Sequence, residues 1–340
     1  MRFILTNELM KIGIVLAKPP GYTETFFRSK IAGLQENGFE VSLYCFEKDP
    51  NFSLCPVFPK PSLSTNPFYQ LILFIVTYTK LVGSLNSVWR FIRLERKAGT
   101  SFLNIWKKLY LNAHILMSKV DWLHFGFATL AVEREFLAEA VQAKMAVSFR
   151  GFDIDVYPLK NPDAYNLLWR KVDKVHSISK YLLHKSYKLG LPKEKPFSII
   201  NPAVNFDWLS SFQTARNSAE KLQLVTVARL HWIKGIDLLI SVAEKLRDKN
   251  IDFEWLVIGA GDKKEEQRYK YHLFEKGLEK QVKLLGARSH PDTIQMMKDS
   301  DIYIQTSLSE GFCNAIQEAQ ALGKACIAFS VGGIPENISN

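Results

Sequence analysis

Basic side chains follow a candidate strand early in the second half of the chain. Arg229 comes directly after the apolar run at residues 222–228, and Lys234 lies five residues further on, just before Gly235 and a candidate helix. A leaving diphosphate needs fixed positive groups and helix N-terminal amides, because negative charge grows on its oxygens. We therefore predict that Arg229 and Lys234 contact phosphate; the alternative is two solvated loop residues.

A second polar group follows the apolar run at residues 302–305. Glu310 lies in the loop after this run, Gly311 permits close approach of the backbone to a ligand, and a helix is expected to begin near Asn314. The first amides of that helix have no partner within it. Glu318 lies on the same helix, so the two carboxylates could reach different parts of one ligand. A helix cap and a surface glutamate are the alternative.

Two glycine turns also follow candidate strands. Gly259-Ala260-Gly261 lacks the full spacing of a dinucleotide-binding fingerprint and is weak support for such a site. Gly332-Gly333 forms a flexible loop after the last candidate strand.

The elements that must position these residues alternate along the chain. Short apolar runs rich in β-branched residues alternate with segments of helical period, which predicts parallel sheets with crossover helices. Strands are predicted at residues 12–17, 41–46, 122–125, 146–149, 174–178, 222–228, 253–258, 282–285, 302–305 and 325–329. Helices are predicted at residues 24–37, 129–142, 180–189, 236–249, 263–277, 291–298 and 314–322.

These elements divide into two domains at the polar, proline-containing segment 200–205. We predict an α/β domain at residues 1–200 and a second at residues 201–340. Open α/β sheets bind ligands beyond the carboxyl ends of their strands, so we expect a site in a cleft that the two domains face. The first nine residues are expected to be an extension ahead of the first strand or the result of a misplaced start codon.

The overall composition narrows the class of protein. The 340 residues, 47% of them hydrophobic, can fill two cores. A formal charge of +10 favours an anionic partner such as a phosphate ligand, a nucleic acid or a membrane surface. Nucleic-acid binding is disfavoured, because the basic residues are scattered and no recognised motif occurs. The four cysteines fit no zinc spacing and are expected to be reduced thiols of a cytoplasmic protein.

One apolar run, at residues 68–85, is interrupted by polar residues and followed by a basic segment. It is shorter than the roughly 20 apolar residues of a spanning helix. Two alternatives stay open: a helix that lies on a membrane or docks an acceptor, or a buried domain helix with a solvated basic end.

The motifs occur in a fixed order. It runs Val227-Ala228-Arg229-Leu230, Lys234-Gly235, Val257-Ile258-Gly259-Ala260-Gly261, Asp301-Ile302-Tyr303-Ile304-Gln305, Ser309-Glu310-Gly311-Phe312, Glu318-Ala319, Gly323-Lys324-Ala325 and Val331-Gly332-Gly333-Ile334-Pro335-Glu336. This order resembles the family-four group of retaining glycosyltransferases over nearly all of residues 222–338. In the first half, residues 20–26, Leu123-His124-Phe125-Gly126 and residues 201–205 resemble segments of its exopolysaccharide and lipopolysaccharide members.

The resemblance implies a GT-B fold, with two Rossmann-like doubly wound domains. It implies a retaining, metal-independent transfer of a sugar, with a nucleotide diphosphate sugar as donor and no cofactor. The acceptor would be a glycan or a lipid-linked glycan at the cytoplasmic membrane face. The resemblance also implies these roles: Arg229 and Lys234 at the diphosphate, Glu310 at the sugar hydroxyls, Gly311, Phe312, Cys313 and Asn314 near sugar and phosphate, Glu318 at the ribose, Gly21 in the loop beside phosphates and acceptor, and His124 at the acceptor or sugar.

Three qualifications accompany these roles. A hydrogen-bonded structural histidine is an equal alternative for His124. Many family members have His-Gly-x-Asp where this chain has Arg150-Gly151-Phe152-Asp153; Arg150 stays protonated and cannot act as a base, so it would bind phosphate or an acidic sugar. Relatives also continue beyond the last glycine loop, so the C-terminal domain is expected to be incomplete.

Three rival functions stay open on the same architecture. An epimerase would convert the donor without an acceptor, and a phosphorylase would carry pyridoxal on a lysine. A truncated, non-catalytic subunit would bind the donor without transferring or hydrolysing the sugar.

Overall fold

The computed structural model describes residues 9–21, 25–215 and 221–338, which form two α/β units. The first unit comprises Met1–Ser177 and Leu183–Ile200, and the second comprises Ile178–Leu182 and Asn201–Asn340. The sequence pattern also breaks at residue 200 but assigns residues 178–182 to the first domain. That difference arises because helix α11 (Lys180–Lys188) continues across the division, and periodicity alone cannot divide a continuous helix.

The first unit contains a seven-stranded parallel sheet of order β3-β2-β1-β4-β5-β6-β7. Its strands are β1 (Lys11–Leu16), β2 (Glu40–Cys45), β3 (Val57–Pro59), β4 (Trp122–Phe125), β5 (Lys144–Phe149), β6 (Lys174–Ser177) and β7 (Phe197–Ile199). The sequence analysis missed β3 and β7. Both are edge strands of three residues, too short to show a period.

Helices cover this sheet and fill the segment between β3 and β4. They are α1 (Thr25–Glu36), α2 (Pro67–Leu81), α3 (Leu85–Lys97), α4 (Phe102–Leu111), α5 (Ala113–Leu116), α6 (Ala128–Ala131), α7 (Leu137–Ala140), α8 (Phe152–Asp155), α9 (Tyr157–Lys160), α10 (Asn166–Lys171) and α11. The single helix predicted at residues 129–142 is wrong. It is two short helices, because Glu133 adopts a left-handed φ of 63° between them.

Helix α2 decides between the alternatives for the apolar run. Only Thr77 and Leu81 of its 15 residues are buried. The alternative of a buried domain helix is therefore wrong. Cys45, Cys55 and Cys313 are buried free thiols, as expected.

The second unit contains a five-stranded parallel sheet of order β10-β9-β8-β11-β12. Its strands are β8 (Leu222–Val227), β9 (Phe253–Ile258), β10 (Val282–Gly286), β11 (Ile302–Gln305) and β12 (Ala325–Ala328). Its helices are α12 (Phe206–Ser210), α13 (Ile236–Asp248), α14 (Lys263–Glu275), α15 (His290–Asp299) and α16 (Asn314–Ala321). Successive strand residues serve opposite cores: Leu224 packs with α13 and α14, and Val225 with α15 and α16.

Candidate functional site

The strand order of the second sheet places two loops at one crevice. The chain runs from β8 through β9 to β10 on one side of β8, and β11 lies on the other side. The order therefore reverses at β8 and β11, and open α/β sheets bind ligands outside the carboxyl ends of strands at such a point. The loops that leave β8 and β11 carry Lys234 and Glu310.

These two side chains form an ion pair. Lys234 ends a 3₁₀ turn at Trp232–Lys234, and its Nζ lies 2.5 Å from Glu310 Oε1. The loops are also joined through their backbones, because Leu308 N–H donates to the Ile233 carbonyl at 2.8 Å. Gly235 has a φ of 63°, and a Cβ there would overlap the Thr306 carbonyl oxygen. Only glycine fits between the two loops.

A buried hydrogen-bond chain orients the Glu310 carboxylate. Tyr303, Gln305 and Ser307 alternate along β11 and its extension, so they lie on one face. The Tyr303 hydroxyl donates to Gln305 Oε1 at 2.5 Å, and Gln305 Nε2 donates to Ser307 Oγ at 2.7 Å. The Ser307 hydroxyl donates to Glu310 Oε1 at 2.8 Å. Glu310 Oε1 thus accepts from Ser307, from Lys234 and, at 3.4 Å, from Gln305 Nε2, while Glu310 Oε2 has no hydrogen-bond partner among the described residues.

Glycine loops support the backbone of this site. Gly259 has a φ of 140°, and a Cβ there would overlap the carbonyl oxygen of Ala228, directly before Arg229. Gly333 N–H donates to the Glu310 carbonyl at 2.7 Å. A Cβ at Gly332 would overlap the same carbonyl oxygen. Both glycine turns of the sequence analysis are thus packed against the loops that carry the charged residues.

The start of α16 offers fewer amide donors than expected. Cys313 N–H already donates to Asn337 Oδ1 at 3.0 Å, and Asn337 Nδ2 donates back to the Cys313 carbonyl at 3.2 Å. Cys313, which the resemblance assigns near sugar and phosphate, therefore has its amide engaged within the protein in this structure. The amides of Gly311 and Phe312 have no partner in the described part of the chain, and Asn314 is the first residue of the helix.

Glu318 and Arg229 occupy different surroundings. Glu318 Oε1 lies 2.9 Å from His290 Nε2, and this hydrogen bond raises the pKa of His290. The Glu318 carboxylate is partly exposed and held by a histidine that packs on Trp208, with ring centroids 4.9 Å apart. Arg229 is exposed beyond β8, without an ion-pair or hydrogen-bond partner among residues 9–21, 25–215 and 221–338. Its cation is therefore accessible to a soluble anion.

The first sheet places a different polar group at its own carboxyl edge. His124 Nε2 lies 2.8 Å from Ser148 Oγ, which lies 2.9 Å from His176 Nδ1. Lys30 Nζ lies 3.0 Å from His124 Nδ1, and His176 Nε2 lies 3.3 Å from the Ile200 carbonyl. These five residues form one hydrogen-bond chain across β4, β5 and β6.

Burial favours the neutral forms of the bases in this chain. It lowers the pKa of Lys30 to about 7, with Arg150 as a second cause, and the pKa of His176 to about 3. Burial also lowers the pKa of His124 well below its usual range. With both imidazoles neutral, every bond can donate in one direction, from Lys30 to the Ile200 carbonyl. His124 is therefore hydrogen-bonded within the first unit, and its assignment to the acceptor or sugar stays a prediction.

Arg150 and Asp153 have separate roles in the motif Arg150-Gly151-Phe152-Asp153. The Arg150 guanidinium carbon lies 3.7 Å from the ring centroid of Phe26 and 4.4 Å from that of Phe27. Asp153 is buried and accepts the backbone N–H groups of Arg150 and Gly151 at 3.0 and 2.9 Å. The carboxylate thus fixes the turn that places Arg150 against the aromatic rings.

The loop after β1 is the other sequence-predicted part of this unit. Gly21 is partly exposed and ends the described segment, and residues 22–24 of the same motif lie outside the described residues. A pocket of about 230 Å³ lies at this carboxyl edge, lined by Lys18, Phe27, Phe46, Glu47, Lys60 and others. Apolar rings with two cations and one carboxylate suit a ligand that carries both apolar and polar parts.

Sequence reasoning missed five residues that complete the two networks, Lys30, Ser148, His176, Gln305 and Ser307, and it also missed His290, the partner of Glu318. Gln305 had a usable signal, because a polar residue at the end of a buried strand needs a partner. Lys30 and His290 come from helices distant in sequence, and no local pattern marks them.

Comparison with known proteins adds the family. Residues 210–340 match the family described as glycosyl transferases group 1. The chain is 24% identical over 350 residues to the putative colanic acid biosynthesis glycosyltransferase WcaL of Escherichia coli (strain K12), covering 96% of this chain and 84% of that protein. It is 27% identical over 228 residues to the amylovoran biosynthesis glycosyltransferase AmsK of Erwinia amylovora, covering 64% of this chain and 54% of that protein.

A solved structure shares the fold. Anabaena HepE in complex with UDP and glucose matches with a TM-score of 0.69 at 18% identity, covering 97% of this chain and 83% of that chain. At that identity the likeness shows the fold alone, two parallel α/β units of the GT-B type.

Proposed function

We propose a specific reaction for this chain, whose residues 210–340 match the glycosyl transferases group 1 and which has the GT-B fold. It transfers a sugar from a nucleotide diphosphate sugar to a hydroxyl of a glycan or lipid-linked acceptor, in the synthesis of a cell-surface polysaccharide. The similarity to WcaL and AmsK supports the polysaccharide, and the complex of HepE with UDP and glucose supports the donor class.

One observation carries the donor assignment: the Lys234–Glu310 ion pair at the strand-order reversal of the second sheet. The Lys234 ammonium keeps further N–H donors for phosphate oxygens. Glu310 Oε2 is open to a sugar hydroxyl, since Oε1 receives the protein's own donors. In this arrangement the diphosphate binds the positive Lys234 and the sugar binds the negative Glu310 beside it.

The proposed mechanism retains the anomeric configuration and uses no metal. As the bond between sugar and diphosphate breaks, Arg229, Lys234 and the first amides of α16 stabilise the charge on the leaving oxygens. An oxocarbenium-like centre forms, and the acceptor hydroxyl attacks from the face that the diphosphate leaves. A phosphate oxygen takes the acceptor proton. Cationic side chains at the strand ends support this assignment.

The remaining donor contacts follow the same edge. Glu318 binds the ribose hydroxyls, and its hydrogen bond to His290 breaks when the ribose binds. Gly311 and Phe312 donate amides to the sugar or phosphate. In the first unit, the resemblance assigns Gly21 to the loop beside phosphates and acceptor, and Arg150 to a phosphate or an acidic sugar.

The acceptor is proposed to be lipid-linked and to lie at the cytoplasmic face of a membrane, so that the protein is a cytoplasmic, peripheral enzyme. The pocket beside Lys18 and Lys60 supports an amphiphilic acceptor, because it combines aromatic walls with two ammonium groups.

A donor screen tests the proposal. Purified protein is titrated with UDP-, GDP- and ADP-sugars, and the donor with the highest affinity is then followed for hydrolysis with and without EDTA. We expect saturable binding of one base, slow release of free sugar unaffected by EDTA, and a product anomer equal to the donor anomer by NMR. Inhibition by EDTA or an inverted anomer would refute the mechanism.

The same screen separates the rivals. Epimerisation of the donor in the absence of acceptor would indicate an epimerase and not a transferase. Binding without hydrolysis or transfer to a lipid-linked glycan extract would indicate a non-catalytic subunit. An absorbance band of a lysine-bound pyridoxal would indicate a phosphorylase.

A further inference from the structure

Exposed apolar side chains concentrate in one part of the first unit. Of the thirty large hydrophobic side chains that are exposed in the described part of the chain, thirteen lie between Phe68 and Trp106. We refer to these thirteen, on α2, α3, α4 and the turn after α2, as the apolar face. Phe68 and Leu103 are each 80% exposed. Soluble proteins rarely leave such a continuous apolar surface without a partner.

The polarity of α2 is the reverse of a soluble surface helix. Two of its polar residues face the protein, since Thr77 is buried and Gln70 Nε2 donates to the Tyr110 hydroxyl at 3.3 Å, while Thr79 and Lys80 near its C-terminus are exposed. Its apolar residues Leu71, Ile72 and Ile75 are all more than half exposed. A helix normally buries its apolar stripe and exposes its polar one. The outward side of α2 is therefore made for an apolar medium.

Helix α4 continues the apolar face. The Trp106 ring contacts Tyr78 of α2 with centroids 5.2 Å apart, and the Phe102 ring contacts Trp106 at 5.8 Å. Phe74 of α2 packs edge-on against Tyr110 at 4.5 Å. The two helices are thus held side by side, with Phe102 and Leu103 extending the exposed surface of α2.

This packing argues against a membrane-spanning segment. The stretch Pro67–Lys97 is long and apolar enough to span a membrane by length and composition. However, the 3₁₀ turn Val82–Ser84 divides this stretch, and neither α2, with 15 residues, nor α3, with 13, reaches the roughly 20 residues of a spanning helix by itself. A spanning helix would also lose the Tyr78 hydroxyl bond to the Trp106 carbonyl, 3.0 Å long. The geometry suits a helix lying parallel to a membrane surface.

The charge around the apolar face selects the partner. Residues 67–107 contain six lysines and arginines, Lys80, Arg90, Arg93, Arg96, Lys97 and Lys107, and a single acidic residue, Glu95. Glu95 is buried and paired with Lys108 at 3.0 Å, so it adds no negative charge to the surface. The Arg93 guanidinium lies 5.5 Å from the ring centroid of exposed Trp89. Apolar side chains bordered by cations and interfacial tryptophans are the pattern of a helix in an anionic lipid interface.

We propose that the apolar face inserts into the headgroup region of a bilayer that contains anionic lipids, with Lys80, Arg93, Arg96 and Lys97 contacting the lipid phosphates. The proposal names the surface and lipid chemistry of the peripheral contact proposed above. It does not depend on the donor chemistry of the second unit.

Vesicle binding tests the proposal. The full chain is sedimented with phosphatidylcholine vesicles and with vesicles containing 30% phosphatidylglycerol. The variants are Leu71→Glu/Ile75→Glu on the apolar face, Arg93→Glu/Arg96→Glu at its cationic edge, and Phe274→Glu as a control, since Phe274 is 65% exposed on α14 of the second unit. None of these residues contacts the candidate donor site.

The expected result is selective binding to the anionic vesicles that weakens with added salt. Each cation near an anionic surface is worth about fivefold in affinity, so Arg93→Glu/Arg96→Glu should weaken binding by at least roughly 20-fold. Leu71→Glu/Ile75→Glu should weaken it at least about tenfold on both vesicle types. Phe274→Glu should bind like the unaltered chain, and UDP-sugar binding should be equal in all four proteins.

Fluorescence locates the contact. Brominated acyl chains should quench the tryptophan emission of the unaltered chain, and Trp89→Phe/Trp106→Phe should lose most of that quenching. Equal vesicle binding by Leu71→Glu/Ile75→Glu and the unaltered chain would overturn the proposal. The proposal would also be overturned if the full chain did not bind vesicles but formed dimers in ultracentrifugation, and if Leu71→Glu/Ile75→Glu dissociated those dimers. That result would assign the apolar face to contact with a second copy of the chain. If the unaltered chain did not bind UDP-sugars, that result would count against the proposed function and not against the membrane contact.

Discussion

Each of the two sheets carries a polar network at its carboxyl edge, but the network of the second unit contains a charged pair whereas that of the first unit contains bases shifted toward their neutral forms. In the second unit, Lys234 and Glu310 pair, and Tyr303, Gln305 and Ser307 complete the carboxylate's hydrogen bonds. In the first unit, Lys30, His124 and His176 are three bases without an acid among them, and burial drives them toward neutrality. A buried charge persists where a counter-charge accompanies it and disappears where none does. We therefore expect charge chemistry in the second network and mainly structural pH sensitivity in the first.

Replacing the lysine of the charged network should have the largest effect. Lys234→Ala removes a cation from the leaving diphosphate and leaves Glu310 buried without its counter-charge. We expect kcat/KM for sugar transfer to fall about 100-fold or more, and Arg229→Ala to act in the same direction. Lys280→Ala, an exposed lysine before β10, serves as the control and should retain full activity. Full activity in both Arg229→Ala and Lys234→Ala would refute the diphosphate assignment.

The carboxylate itself is tested by Glu310→Gln. The amide keeps the shape of the carboxylate but lacks its negative charge, which interacts with Lys234 and with the proposed sugar hydroxyl. Charged hydrogen bonds contribute about 2 kcal/mol, so we expect kcat/KM to fall roughly 30-fold, with nucleotide binding by calorimetry little changed. A matching loss of affinity for free UDP would place Glu310 at the nucleotide and not at the sugar.

The neutral network predicts a pH-dependent stability. Lys30 has an ordinary pKa of 10.5 in the unfolded chain and about 7 in the folded unit. Between these values only the unfolded chain binds the proton, so stability falls as the pH drops from 10.5 to 7. Relative to Lys30→Met, the unaltered chain should gain up to about 1.4 kcal/mol of unfolding free energy per pH unit from pH 7.5 to 9.5.

Urea unfolding of both proteins at several pH values measures this difference. Lys188→Met, at an exposed position on α11, provides the control and should follow the unaltered chain. Parallel curves for Lys30→Met and the unaltered chain would show that Lys30 keeps its charge, and the contrast between the two networks would fail.

The smallest effect is expected from the support of the carboxylate. Ser307→Ala removes the hydroxyl that joins Gln305 to Glu310, and such a bond contributes about 1 kcal/mol, or roughly fivefold in rate. We expect kcat to fall while KM for the donor stays constant, and Ser307→Thr to restore most of the rate. A rise in KM alone would indicate that Ser307 contacts the donor directly.

The sequence was sufficient for the fold where a pattern was long and local. All five strands of the second sheet were predicted, because each is an apolar run bounded by turns. Residues 129–142 were predicted as one helix, because the positive φ of Glu133 does not change the spacing of the apolar residues in the sequence. Edge strands β3 and β7 were too short to detect.

The site was predictable only in part for a related reason. Lys234 and Glu310 were marked by their positions after strands, and the structure brings them together across 76 residues. The engagement of the Cys313 amide by Asn337 was not predictable, because it depends on a contact between segments that no local motif encodes. The same holds for Lys30, whose partner His124 lies 94 residues away.

The glycine between the two loops of the second unit has a consequence for how donor preference could change. Gly235 lets the backbone of one loop touch that of the other, so neither loop can shift without the other following. A new sugar would therefore be accommodated by exchanging side chains at Phe312 or Asn314, and not by remodelling the main chain. Engineering of donor choice has its most permissive positions there.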